Sequence, residues 1–194
     1  SGDRHLGLRL APHLSVASYG TWGRYVLEAE TLARSLARFE EVIGLHASYR
    51  SWNVSASGDL IWIRYQFQVN KRIKEYANLA YCGVGVLTNI VRQYAGPDWN
   101  PAAVELDIDE PRSFSDLEDA FPCEHHFNAN TIGIAFRRDQ LSARRLSEPA
   151  TTPISLADTL RSRAPRSPQT LTEAVDEIIR VQLCNRQVSM DAAA

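Results

Sequence analysis

The sequence has no surplus of either charge: 21 Lys and Arg against 23 Asp and Glu leave a formal net charge of -2 over 194 residues. That balance produces no strong field to draw in a phosphate backbone, so the chain by itself is not expected to hold nucleic acid. Cysteine is scarce. Cys82, Cys123 and Cys184 lie far apart with no Cys-x-x-Cys pair, which argues against a disulfide framework and suits reduced thiols in a cytoplasmic protein. They read as packing residues. Long apolar runs are missing too: the most apolar stretch, Ala77 to Val91, is interrupted by Asn78 and Asn89 and falls short of the roughly 20 residues of a membrane helix. No membrane span is expected, and no signal peptide is visible.

Catalytic signatures are absent as well. No GxSxG nucleophile elbow and no GxxxxGK[ST] phosphate loop occurs, and Gly83-Val84-Gly85 lacks the third glycine of a dinucleotide fingerprint. Cys123-Glu124-His125-His126 has metal-ligand residue types, but neighbours along a strand point to opposite faces and no partner pair has matching spacing. Neither an enzyme, a metal site nor a cofactor is expected.

What is present is 44% hydrophobic and 9% aromatic content, enough for one domain with a substantial core and an appendage. Gly20 and Gly23 bracket Thr21-Trp22 in a helix-to-helix junction. Thr31 is placed to cap a helix on which Leu32, Leu36, Phe39 and Ile43 share one face. The period then changes: Ile61, Ile63, Tyr65, Phe67 and Val69 alternate with Trp62, Arg64, Gln66 and Gln68, the pattern of a strand. Ser57-Gly58-Asp59 supplies a turn back to a partner strand, so a hairpin is expected at about 49–69. Lys71 to Tyr94 reads as a long helix, apolar nearly all round and therefore internal, with Gly83 and Gly85 permitting close approach. Strands follow around 104–108 and 132–136, with a short helix over 113–120 between them. The class is α+β, an antiparallel sheet with helices packed on it, followed by a linker and terminal helices. Four prolines between Glu148 and Pro168 mark that linker, interrupted by one brief helix near Leu156 and Leu160. Leu171, Val175 and Ile178 open a last amphipathic helix, and Ser189 is placed to cap another.

Several short pieces follow one another in a specific order: Gly2-Asp3-Arg4-His5-Leu6-Gly7-Leu8-Arg9-Leu10, Tyr19-Gly20-Thr21-Trp22-Gly23, Thr31-Leu32 opening a helix through Arg38-Phe39, Gly96-Pro97-Asp98-Trp99-Asn100-Pro101, and Phe127-Asn128-Ala129-Asn130. With these, roughly residues 3 to 148 resemble the arabinose-binding-like N-terminal effector domain of one branch of the AraC/XylS transcription regulators. The tail Val188-Ser189-Met190-Asp191-Ala192-Ala193-Ala194 resembles the start of that family's helix-turn-helix region. The resemblance implies an effector-binding and dimerisation domain at 3–147, a linker at 148–170, and a linker helix with the truncated start of the DNA-binding region at 171–194. It also implies a small-molecule effector, a homodimer, and DNA contact only through a C-terminal region missing here. Ser1-Gly2 resembles a cleavage scar, so the natural start is expected to be missing.

Candidate ligand-binding residues follow from two patterns. Arg34 and Arg38 form an RxxxR, and Asn53 to Gly58 fits [DN]xSxxG; together these resemble the cyclic di-GMP signature of PilZ domains, although in that family the RxxxR is extended rather than helical. The solvated helical face is the plainer reading of the two arginines. For an ordinary small effector, aromatic walls with few polar groups are wanted, which selects Tyr19, Trp22, Trp62, Arg64, Tyr76 and Tyr81. Arg64 stands out because an arginine flanked by Ile63 and Tyr65 within a strand needs a reason if buried; the plainer reading is that it faces water. A ligand-free dimerisation module remains the alternative to the sensor.

Overall fold

The computed structural model describes residues 5–45, 52–73, 75–111, 115–148 and 152–163. The chain divides into two compact units, Ser1–Ser162 and Arg163–Ala194, and all but Arg163 of the described residues belong to the first. The helix expected at 171–183 and the segment that Ser189 is expected to cap lie outside the described residues.

Helix α1 (Leu6–Leu10) leads through two 3₁₀ turns to α2 (Thr21–Leu27) and α3 (Leu32–Val42). Thr31 caps α3 through its side-chain oxygen, which accepts from the Arg34 N–H, and the spacing of four, three and four buries Leu32, Leu36, Phe39 and Ile43. The hairpin forms from β1 (Trp52–Ser57) and β2 (Leu60–Tyr65), with Ser57 paired to Leu60 across a two-residue turn at Gly58-Asp59. Gly58 takes a φ of 58° there, a conformation glycine adopts without steric cost. The strand stops at Tyr65, short of the expected Val69.

The long helix α4 (Tyr76–Ala95) begins five residues later than its pattern suggests and is buried along most of its length. The two asparagines that interrupt its apolar run hold the N-terminal segment. Asn78 accepts from the Gly7 N–H at 2.8 Å, and the Asn89 amide donates to the Ala11 carbonyl at 3.1 Å and to the Leu14 carbonyl. Gly85 lets that segment approach, since a Cβ there would stand 2.7 Å from Ala11.

β3 (Ala103–Glu105), α5 (Ser115–Ala120), β4 (Glu124–His126) and β5 (Ile132–Arg137) complete a five-stranded sheet in the order β1-β2-β5-β3-β4. The pairings are antiparallel except β3 with β4, which are parallel. The sheet is thus mixed rather than wholly antiparallel, because the chain returns through α5 before adding β4, and such a crossover restores the strand direction. β2 and β5 sit centrally and present Ile61, Ile63, Ile132, Ile134 and Phe136 to the main core. A brief helix α6 (Leu156–Arg163) follows. Its approach is fixed by the Ile154 N–H donating to Glu28 at 2.7 Å.

Candidate functional site

Between the helix-covered face of the sheet and α2, α3 and α4 lies a cavity of about 100 Å³. Tyr65, Phe67 and Ile132 reach it from the sheet side, Trp22 and Phe39 from α2 and α3, and Leu79, Cys82, Gly83, Val86 and Leu87 from α4. Tyr19 stands at its edge on the 3₁₀ turn before α2, 43% exposed. None of the lining residues carries a formal charge at neutral pH.

The aromatic walls are ordered by contact. Tyr19 stacks on Trp22 at 5.5 Å, Trp22 meets Phe39 edge-on at 5.8 Å, and Phe39 stacks on Trp52 at 4.2 Å. Tyr65 and Phe67 meet edge-on at 5.0 Å. Such offset and edge geometries suit ring quadrupoles and keep the walls in fixed rotamers. Gly83 shapes the floor: an added Cβ would come within 2.3 Å of Ile132 and 2.9 Å of Phe67. The polar side-chain atoms among the lining residues are two phenols, a thiol and the Trp22 indole N–H. Burial raises the pKa of Tyr19, helped by Cys82; burial raises that of Tyr65, helped by Tyr19; burial also raises that of Cys82. All three therefore stay neutral donors at physiological pH.

Among the sequence-derived candidates, the structure brings Trp22 and Tyr19 to this cavity and distributes the rest elsewhere. Tyr76 is one layer away, edge-on to Phe67 at 6.5 Å, and its hydroxyl donates to the buried Asp107 at 2.6 Å. Lys71 meets the same carboxylate oxygen at 2.8 Å. Tyr81 is buried on α4 outside the cavity lining. Trp62 and Arg64 occupy the opposite face of the sheet, where the Arg64 guanidinium lies 4.6 Å from the Trp62 ring centre. Arg64 has the partner its burial requires, pairing with both oxygens of Glu105 at 2.6 and 2.9 Å and with the Ser55 hydroxyl at 2.8 Å. Arg64 and Glu105 floor an open groove edged by Trp52, Asn53, Gln66 and Asn130.

Arg34 and Arg38 have different surroundings. Arg34 is exposed, whereas Arg38 donates to the Tyr25 carbonyl at 2.9 Å and lies over the Tyr25 ring at 4.6 Å. Ser55 of the Asn53–Gly58 segment accepts from Arg64. His125 faces the Phe121 carbonyl at 2.9 Å, and among the described residues no group of three or more His, Cys, Asp or Glu is arranged to hold a metal ion. No helix of the described residues is long and apolar enough to cross a membrane.

Tyr65, Phe67, Cys82 and Ile132 were not singled out as ligand candidates by sequence. Alternation places Tyr65 and Phe67 on the same side as Ile61 and Ile63, and Gly83 signals a close approach, so the signal that could have found them was the apolar strand face opposite a glycine-bearing helix.

The family model for the arabinose-binding domain of AraC transcription regulators, N-terminal, matches residues 1–144. No curated protein matches the sequence at a significant level. Among solved structures, the chain is similar to the transcriptional regulator CdpR from Pseudomonas aeruginosa, with a TM-score of 0.63 at 16% identity. That similarity covers 94% of this chain and 61% of the other, so the chain spans about three fifths of that protein and the likeness is one of fold. With its first 144 residues matched, the chain belongs to the family of N-terminal arabinose-binding domains of AraC transcription regulators.

Proposed function

We propose that this domain senses a small molecule in the cavity between its sheet and helices, and passes the bound state to the DNA-binding part of an AraC-type regulator. The observation that carries this reading is the cavity itself: about 100 Å³, walled by aromatic and aliphatic side chains, with a few neutral donors. Pockets of that make-up are the default place for a small ligand, and the family is one of regulators rather than enzymes. The domain would work as a homodimer in the cytoplasm. The segments at 148–170 and 171–194 would serve as linker and as the entry to a helix-turn-helix region through which all DNA contact is made. Any such relay requires the effector to bind one conformational state better than the other.

The test is thermal unfolding of the protein against a panel of neutral and charged metabolites, repeated on Leu79→Trp, which places an indole in the cavity. A compound that binds only the native state should, at 100 times its dissociation constant, add about 2.7 kcal/mol of stability. That gain should vanish in Leu79→Trp while the variant's own melting remains cooperative. A complete panel without any shift would favour a ligand-free dimerisation module.

A further inference from the structure

We infer that the effector is a neutral, single-ring-sized molecule whose one polar group, a hydroxyl or its equivalent, is held by Tyr65, Tyr19 and Cys82; this rests on the sensing role proposed above.

Size gives the first limit. A cavity of about 100 Å³ is on the scale of the engineered apolar cavities of roughly 150 Å³ that take up benzene. A dinucleotide or a long acyl chain needs several times that space. Charge gives the second. The lining contains no Lys, Arg or His and no Asp or Glu, so a carboxylate or ammonium brought in would lose its hydration without an ionic partner.

The third limit is the polar end. Tyr65, Tyr19 and Cys82 reach the same cavity from a strand, a 3₁₀ turn and a helix respectively. The Tyr65 hydroxyl has no hydrogen-bond partner among the described residues, although the ring beneath it is fixed edge-on against Phe67. That hydroxyl is half-buried and open to solvent; a phenol can donate or accept, so a ligand hydroxyl would take the place of water on it. Apart from the Trp22 indole N–H, the rest of the wall is hydrocarbon, and the stacked Tyr19 and Trp22 rings offer a flat surface to a second ring. The same chemistry orders the competitors: a ring with a hydroxyl should bind best, a bare ring less well, and an anionic ring least.

Phenol, toluene and benzoate are near-isosteric probes of this order, titrated against the whole chain at pH 7 with thermal unfolding as readout, alongside Tyr65→Phe. The expected result is stabilisation by phenol, weaker stabilisation by toluene, and benzoate affinity lower than that of phenol by at least about 100-fold. In Tyr65→Phe, phenol affinity should fall about three- to ten-fold, the loss of one hydrogen bond, with toluene affinity unchanged. Removing the hydroxyl leaves a ring of the same shape, so the variant is expected to fold, and its toluene response checks that the cavity survives. Benzoate binding as well as phenol, or an equal loss of phenol and toluene in Tyr65→Phe, would overturn the inference. So would silence from all three probes; a shift with a sugar or amino acid in the same assay would then leave the sensing role standing and discard only the ligand class.

Discussion

Arg64 and Glu105, on strands that do not touch, are joined by a two-pronged ion pair that crosses above Gly133 of the strand between them. Both side chains are largely withdrawn from solvent, at 25% and 18% exposure. Removing one partner of such a pair leaves the other charge poorly solvated, whereas removing both leaves none. Arg64→Met is therefore expected to cost about 1–2 kcal/mol in urea unfolding, the fully buried penalty reduced for partial exposure. Arg64→Met with Glu105→Gln should recover part of that loss, and strict additivity would contradict the coupling.

Gly133 is the gap that lets the pair meet. A Cβ there would stand 3.0 Å from the Arg64 side chain and from the Ile63 carbonyl, and 3.3 Å from Glu105. The arginine can bend away but the backbone oxygen cannot. Gly133→Ala is expected to destabilise by about 1–2 kcal/mol through this crowding. A neutral or stabilising effect in the same urea assay would count against it.

Asn89 ties the N-terminal segment to α4 through the carbonyls of Ala11 and Leu14. Asn89→Ala leaves those acceptors without the amide, and about 1–3 kcal/mol of stability should be lost. Hydrogen exchange should quicken first over residues 5–20, because that is the segment the Asn89 amide holds against α4. Uniform quickening across the sheet would argue that Asn89 supports the whole core instead.

Cys123 offers a pH prediction. Burial, with Glu124 beside it, pushes its thiol pKa up from 9.0 to about 11. The folded state thus holds the proton more tightly than the unfolded one, so the contribution is intact below pH 9 and is lost as pH rises toward 11. Stability should decline across that window, and Cys123→Ala should flatten the part due to this residue. At pH 8 only about one Cys123 thiol in a thousand is thiolate, so alkylation followed by peptide mass analysis should find it far slower than free cysteine.

Much of the fold was legible because local periods decided it. The four-three-four spacing from Leu32 to Ile43 set α3, and alternation from Ile61 to Tyr65 with a glycine turn set the hairpin. β4 was harder to place: Glu124, His125 and His126 carry no apolar alternation, and their pairing with β3 depends on a crossover. The end of α4 was set by Gly96, but its start had no comparable signal, and the helix opens at Tyr76 rather than near Lys71. The cavity was only half legible. Whether Tyr65 and Trp22 are packed core or pocket wall depends on the gap left between helices and sheet, a property of packing that no single element's pattern contains. The strand pattern draws attention to Arg64, yet Glu105 lies 41 residues away and is reached only through the register that puts Gly133 between them.

The most direct test of the account is methyl NMR of the protein titrated with phenol. The account predicts saturable shifts concentrated on the methyls of Leu79, Val86, Leu87 and Ile132, which line the cavity. Shifts clustered instead near Arg34 and Arg38 on α3 or around the Arg64 groove, or no saturable shifts at all, would contradict it.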